Sequence, residues 1–162
     1  MKKFTSFTDT VYVKDKFITY IKLAKNPTPA VRDSYTANNP LWDERIVDIT
    51  NDPIVLKVKK FLDVEFNLNL EIARAEIQNW FLGTCGSLHI HDDYAYMGIN
   101  PRYNSLLYLN DNFKEGFFHT SHGVIVKPEI GRLTFFDGKK IYHGISEVKK
   151  ADRLTIIFWW KD

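Results

Sequence analysis

From about residue 70 onward, the sequence consists of short apolar runs separated by turn signals, and this pattern constrains the fold most. The turns are indicated by Asn110-Asp111-Asn112, by the segment Pro128–Gly131 and by Asp137-Gly138. Many short strands at close spacing are typical of a barrel or a jelly roll. The aromatic content of 15% agrees with this, because flat rings pack well on a pleated sheet. The apolar runs that we predict as strands are Glu71–Leu82, Ser105–Leu109, Gly123–Lys127, Arg132–Phe136 and Arg153–Trp160.

The first part of the chain has a mixed pattern with one clear helix. Asp52 followed by Pro53 is typical of a helix start, because proline tolerates the first helical position. Apolar residues follow at helical spacing, so we predict a helix over Pro53–Phe66 that covers one face of a sheet. Thr10–Leu23 predicts a strand followed by a short helix. The segment Lys25–Leu41, rich in proline and asparagine, predicts a long loop, which we interpret as a lid over the substrate.

The length and the change of pattern predict the domain organisation. A chain of 162 residues with 44% hydrophobic residues suits one domain with a sizeable core. We expect a single domain over residues 1–162. In this division, residues 1–70 supply helical support and the loop, and residues 71–162 form the β core.

Charge and cysteine content narrow the functional classes. The net charge of +2, from 22 basic and 20 acidic residues, gives no strong case for a nucleic-acid or membrane partner. A single cysteine, Cys85, excludes an internal disulfide. No apolar run approaches the roughly 20 residues of a membrane helix, and the start of the sequence lacks an apolar signal core. We therefore expect a cytoplasmic protein.

All five histidines lie in the second half of the chain, and three residues there suggest a metal site. His91 and Asp93 are two apart, so in a strand they point to the same face and could bind one ion together. His143 is the candidate third ligand, because a jelly roll brings distant strands together. Two histidines and one carboxylate form the facial triad of non-haem Fe(II) oxygenases. That triad leaves coordination positions open for a 2-oxo acid and dioxygen.

Other residues near the predicted ligands offer alternatives. Asp92 competes with Asp93, but adjacent strand residues point to opposite faces, and the alternation favours Asp93. His89 shares the face of the predicted ligands, and we expect it to be a neighbour of the metal site or a surface residue rather than a ligand. His119 and His122 are expected to be polar loop or strand residues.

Arg153 and Thr155 predict a site for a carboxylate. They are two apart in the last apolar run and therefore share a face of that strand. An arginine that points into such a strand is costly unless its charge is paired. A guanidinium offers a planar, bidentate fit to a carboxylate, and the Thr155 hydroxyl can add a donor. A bound dicarboxylate would supply the partner.

Together these motifs resemble the 2-oxoglutarate- and Fe(II)-dependent dioxygenases of the prolyl-4-hydroxylase-like group. The resemblance covers roughly residues 76–160, and the ordered set of motifs is more specific than the His-x-Asp triplet alone. The matching motifs are His91-x-Asp93, Ser105–Asn110, Pro128-x-x-Gly131-Arg132-Leu133-x-Phe135-Phe136, His143-Gly144-Ile145 and Arg153-x-Thr155.

The resemblance implies a fold and a metal. The implied fold class is α+β and mainly β, a double-stranded β-helix, which is a cupin-like jelly roll, with N-terminal helices packed on one sheet. The implied ligands of Fe(II) are His91, Asp93 and His143. These are the same three residues that the spacing suggests.

The resemblance also implies a cosubstrate site and a reaction. Arg153 would hold the distal carboxylate of 2-oxoglutarate, with Thr155 and the phenol of Tyr108 assisting. Family members also have a tyrosine upstream of the first ligand, whereas Trp80 and Phe81 occupy that neighbourhood here. The implied reaction uses O₂ to hydroxylate a C–H bond, with release of succinate and CO₂. The first expectation for the substrate is a prolyl residue in a peptide, and a related small molecule is the alternative. Members of the resembled family use ascorbate to support turnover. The resemblance therefore implies ascorbate as an auxiliary reductant, although no residue of this sequence indicates it.

Two other functions compete with this interpretation. His89-x-His91-x-Asp93 resembles the start of the metallo-β-lactamase motif H-x-H-x-D-H, which would indicate a zinc-dependent hydrolase. Tyr94 stands where the last histidine of that motif should be, and the chain is short for that fold. A catalytically silent jelly-roll binding protein is the second alternative. The presence of all three predicted metal ligands together with Arg153 argues against it.

Overall fold

The computed structural model describes residues 11–18, 46–90 and 100–162, and these segments are mainly β. They contain one helix, α1 (Pro53–Phe66), and twelve strands. The predicted short helix after the first strand and the predicted loop Lys25–Leu41 lie outside the described residues. The strands are β1 (Tyr12–Lys14), β2 (Ile46–Asp48), β3 (Glu71–Trp80), β4 (Gly86–His89), β5 (Tyr103–Tyr108), β6 (Lys114–Glu115), β7 (Phe118–Thr120), β8 (Ile125–Val126), β9 (Leu133–Asp137), β10 (His143–Ile145), β11 (Val148–Lys149) and β12 (Arg153–Lys161).

The strands form two antiparallel sheets and one short ribbon. The major sheet has six strands in the order β1-β9-β5-β12-β3-β2. The minor sheet has four strands in the order β4-β10-β7-β8, and β6 pairs with β11 in the ribbon. From β3 onward the chain passes repeatedly between the two sheets, so strands that are far apart in sequence become neighbours in space. This arrangement brings the last strand, β12, to the centre of the major sheet, between β5 and β3.

Helix α1 has the bounds that the sequence predicts, because its end signals are local. The Asp52 side chain accepts a hydrogen bond from the Ile54 backbone N–H at 2.9 Å and caps the first turn. Asn67 ends the helix in the left-handed conformation, with φ 54°. Between these ends, four side chains at helical spacing are buried: Val55, Val58, Leu62 and Phe66. Each contributes roughly 1.5–3 kcal/mol by leaving water, so this face holds the helix on the major sheet.

Two hydrophobic cores lie on opposite faces of the major sheet. The first joins the buried face of α1 to residues of the sheet such as Leu107, Phe135 and Phe158. The second lies between the two sheets, and the ring contact of Phe118 with Phe136 at 4.8 Å connects them. Helix α1 therefore forms the predicted helical layer on one face of the major sheet. The second core is the layer that positions the candidate site.

The N-terminal region, which we predict to support the β core, also contributes strands to the major sheet. Strand β1 pairs with β9 and strand β2 pairs with β3, so they form the two edges of the major sheet. Two predicted strands are shorter than expected. The run Glu71–Leu82 leaves the sheet after Trp80, because the chain turns there with Gly83 at φ 85°. Of the run Gly123–Lys127, only Ile125–Val126 is paired. Within residues 11–18, 46–90 and 100–162, no helix has the length and apolar character of a membrane span.

Candidate metal and carboxylate site

Arg153 begins β12 and is fully buried, with 0% exposure. Its Nη1 lies 3.4 Å from the Thr155 hydroxyl, the residue that the strand alternation places on the same face. Its Nε and Nη2 have no hydrogen-bond partner in the described part of the chain. Burial lowers the pKa of the Arg153 guanidinium, and the nearby Tyr108 opposes this shift. A buried guanidinium with two unused N–H groups fits a carboxylate, which accepts two parallel hydrogen bonds.

Tyr108 is the second unsatisfied group of this site. It lies at the end of β5, directly across from Thr155 of β12, and it is fully buried. Its hydroxyl also lacks a partner among the described residues, and its ring centroid lies 5.3 Å from Cζ of Arg153. The three residues predicted to hold the cosubstrate are therefore brought together in one buried place. Their unused donors match the acceptors of a carboxylate.

His143 lies in β10 of the minor sheet and is nearly buried, with 6% exposure. Its Nδ1 lies 2.7 Å from the backbone carbonyl of Ile141, which can only accept, so Nδ1 carries the proton. In the neutral imidazole, the other nitrogen, Nε2, then carries the lone pair that a metal requires. The rings of Phe118 and Phe136 pack against the imidazole, with centroid distances of 5.7 Å and 4.8 Å. These contacts restrict the orientation of the ring.

His89 of β4 is the cross-strand partner of His143. The two rings have centroids 4.4 Å apart, and Nδ1 of His89 lies 2.9 Å from the Ser87 backbone carbonyl. The structure therefore places His89 as an exposed neighbour of His143. Strands β4 and β10 approach closely at Gly144, where an added Cβ would lie 2.6 Å from the Gly86 carbonyl oxygen. This close approach allows the two histidines to meet.

The remaining predicted metal ligands, His91 and Asp93, lie outside the described residues, as does Asp92. Within the described ranges, no group of three histidine, cysteine, aspartate or glutamate residues could hold a metal ion. The complete triad therefore stays a prediction. His119 pairs with Gly144, the residue after His143, so alternation places it on the other face of the minor sheet.

Sequence reasoning missed a row of side chains on β3. Arg74, Glu76, Gln78 and Trp80 alternate along the strand and share the face of Arg153. The alternation of polar and apolar residues along β3 could have indicated this row. However, polar residues at every second position are typical of a strand face that is exposed to solvent. In the structure, Glu76 and Gln78 are buried at 0% and 6% exposure.

The sequence has no match to a family model and no significantly similar curated protein. Its structure is similar to solved oxygenase structures. A Pseudomonas putida prolyl-4-hydroxylase has a TM-score of 0.56 and 20% identity, over 72% of this chain and 70% of that one. An oxidoreductase of the 2OG-Fe(II) oxygenase family from Burkholderia pseudomallei has a TM-score of 0.55 and 16% identity, over 65% of this chain.

The chain has the fold of these oxygenases. A third similar structure is a Trichoplax adhaerens prolyl hydroxylase in complex with a peptide fragment of a hypoxia inducible factor. Its TM-score is 0.56 at 18% identity, over 72% of this chain and 62% of that one. The chain spans about half the length of the Burkholderia protein, of which the match covers 52%. The predicted jelly roll and the predicted resemblance in fold to the prolyl-4-hydroxylase-like group are confirmed.

Proposed function

We propose that the chain is a 2-oxoglutarate- and Fe(II)-dependent dioxygenase that hydroxylates a prolyl residue in a peptide. The observation that carries this proposal is the buried guanidinium of Arg153, with two N–H groups that have no partner among the described residues. Beside it lies the Tyr108 hydroxyl, which is buried and also without a described partner. A dicarboxylate that enters this site would satisfy both groups at once. The similarity in fold to oxygenases supports the same class of reaction.

In this proposal Arg153, Tyr108 and Thr155 orient the cosubstrate. The guanidinium binds the distal carboxylate of 2-oxoglutarate, and the two hydroxyl groups add hydrogen bonds to it. Because the three side chains are buried, water does not compete for these bonds, and the charge interaction is strong. The cosubstrate is thereby fixed at one end, which aims its 2-oxo acid end.

His91, Asp93 and His143 are the proposed ligands of Fe(II). When bound, the metal supplies the oxygen chemistry that couples conversion of 2-oxoglutarate to succinate and CO₂ with hydroxylation of the substrate. The chain contributes a fixed imidazole, because the Ile141 carbonyl holds the proton on Nδ1 of His143 and leaves Nε2 for the metal. Phe118 and Phe136 pack on this ring and exclude water from its inner side.

A peptide is the proposed substrate class, with a related small molecule as the alternative. The Trichoplax prolyl hydroxylase with a similar fold was solved with a peptide fragment, which supports a peptide for this chain too. The net charge of +2 gives no strong electrostatic case for nucleic acid as the substrate. Ascorbate is proposed only as an auxiliary reductant that sustains turnover.

An anaerobic titration with Fe(II) and 2-oxoglutarate, followed by visible absorption, tests the proposal. We expect a broad charge-transfer band that appears only when both are present. His143→Ala should remove the band, whereas His119→Ala should retain it as the matched control on the other face of the same sheet. Succinate release with proline-containing peptides then tests the substrate class, with and without ascorbate.

The same experiment separates the competing functions. Absence of the band, together with tight binding of zinc, would contradict the proposal and favour a hydrolase. A band without succinate release for any substrate class would favour a silent binding protein.

A further inference from the structure

Side chains on β3 form a continuous hydrogen-bonded row that ends at the carboxylate site. Trp80, at the end of the row, lies directly across from Arg153 of β12. Its indole N–H donates to Oε1 of Gln78 at 3.3 Å, and Nε2 of Gln78 donates to Oε2 of Glu76 at 3.1 Å. Arg74 donates to the same carboxylate through its Nε. The row therefore connects a charged pair on β3 to the residue that faces Arg153.

The chemistry of the neighbours permits only one orientation of the Gln78 amide. The carboxylate of Glu76, which forms an ion pair with Arg74, accepts hydrogen bonds, so the amide nitrogen of Gln78 faces it. The amide oxygen then faces Trp80, whose indole nitrogen can only donate. The hydrogen bonds to Glu76 and from Trp80 therefore favour the same orientation of the Gln78 amide. Gln78 is therefore a fixed acceptor for the indole N–H.

Trp80 is held between two sheets and against the Arg153 guanidinium. Its ring centroid lies 6.0 Å from Cζ of Arg153. On the minor sheet, an added Cβ at Gly86 would lie 2.9 Å from Cη2 of Trp80, so the indole fills the space that this glycine leaves. The faces of aromatic rings attract cations, and the attraction is stronger where water is absent. Together with the Tyr108 ring at 5.3 Å, the indole stabilises the buried charge of Arg153.

We propose that Gln78 is a positioning residue for 2-oxoglutarate, acting through Trp80. Its amide holds the indole so that the ring stays next to the Arg153 guanidinium. Gln78 itself does not touch the cosubstrate. The family resemblance implies a tyrosine upstream of the first ligand, and at Trp80 this chain has instead a ring that offers a cation–aromatic contact to Arg153. The inference rests on the proposed function, because it requires that Arg153 binds the cosubstrate.

A double-mutant cycle for 2-oxoglutarate affinity tests the inference, with calorimetry in oxygen-free buffer containing Fe(II). Gln78→Leu removes the acceptor at similar volume, and Trp80→Phe keeps a ring but removes the N–H. We expect each variant to raise the Kd by about tenfold. In the Trp80→Phe background, Gln78→Leu should add less than about twofold, because it no longer has an indole to hold. Asn79→Ala, the next residue on the opposite face of β3, is the matched control and should leave the Kd unchanged.

Two further measurements distinguish positioning from a general loss of structure. Gln78→Leu should shift the tryptophan emission spectrum, and this shift should be absent in the Trp80→Phe background. In turnover, the KM for 2-oxoglutarate should rise while kcat stays within about twofold of the native value. If Gln78→Leu unfolds, Trp80→Phe leaves the contacts of Gln78 with Glu76 in place and tests the same hydrogen bond from its other side.

The outcomes separate this inference from the proposed function. Additive effects of the two substitutions, or a native Kd in Gln78→Leu, would overturn the role of Gln78 and leave the dioxygenase proposal intact. Failure of the native protein to bind 2-oxoglutarate, or native binding in Arg153→Met, would instead refute the proposed site. The inference would then be refuted with it.

Discussion

Replacing Arg153 with methionine should change binding and stability in opposite directions. The guanidinium is fully buried, and among the described residues its only hydrogen-bond partner is the Thr155 hydroxyl, on Nη1. Methionine keeps the unbranched aliphatic stem of arginine but is shorter and carries no charge. In the native protein the charge is costly until a cosubstrate arrives, because its hydration is lost and two of its N–H groups have no described partner.

The burial of the Arg153 guanidinium sets the size of both effects, on 2-oxoglutarate binding and on folding stability. Truncating one partner of a buried charge pair costs about 2–5 kcal/mol of binding free energy, so the Kd for 2-oxoglutarate should rise between about 30-fold and several thousand-fold. Even when buried charges are paired, replacing them with apolar residues is often neutral or stabilises a fold by about 1–4 kcal/mol, and the Arg153 charge has no partner among the described residues in the absence of cosubstrate to offset its desolvation. The lost contacts with the rings of Trp80 and Tyr108 offset part of this gain. We therefore expect the free energy of unfolding to rise by about 1–3 kcal/mol.

Urea unfolding with and without 2-oxoglutarate measures both effects in oxygen-free buffer containing Fe(II). At a ligand concentration of about 100 times the native Kd, the native protein should gain about 2.7 kcal/mol, and Arg153→Met should gain less than about 0.9 kcal/mol at that concentration. A matched control is Lys149→Met, since Lys149 is an exposed cation in the ribbon strand β11. If Arg153→Met lost several kcal/mol without cosubstrate, the guanidinium would be paired within the protein and the reasoning would fail.

Three further predictions concern the site and its support. Tyr108→Phe removes a buried hydroxyl without a described partner, so calorimetry should show about tenfold weaker 2-oxoglutarate binding with no loss of folding stability; a native Kd would exclude the phenol from the site. Asp52→Ala removes the cap of α1 and should lower the free energy of unfolding by about 1 kcal/mol, measured in urea, while an unchanged midpoint would show that the cap contributes nothing. His89→Ala removes the ring beside His143 and should weaken Co(II) binding by about tenfold in a spectroscopic titration. An affinity equal to that of His119→Ala would show that His89 is only a surface residue.

The elements that the sequence predicts best are those with local signals. Helix α1 has the predicted bounds because Asp52, Pro53 and the apolar spacing all lie within the helix or next to it. The long strands β3 and β12 are also found, since β12 carries an extended apolar run and apolar residues recur along β3. Strands β4, β7 and β10 have only three or four residues and include polar side chains or glycine. Their pairing depends on distant partners, which local patterns do not reveal.

The candidate site likewise has a part that local patterns predict and a part that they do not. Alternation along one strand is a local property, and it correctly places Arg153 and Thr155 together. The row on β3 could not be predicted, because its polar residues satisfy one another in the interior instead of facing water. Glu76, for example, is buried because Arg74 and Gln78 both donate to it. Such mutual satisfaction depends on side-chain contacts that a pattern of residue types does not contain.

The two halves of the candidate site lie on sheets whose strands differ greatly in length. Arg153 and Trp80 belong to strands of nine and ten residues in the major sheet, whereas His143 belongs to a strand of three residues in the minor sheet. Short ladders open locally at a lower free energy than long central ones. Amide hydrogens of β4 and β10 should therefore exchange with solvent much faster than those of β12. A metal ion bound to His143 would protect these short strands most, so that loading the ion would also stabilise the minor sheet.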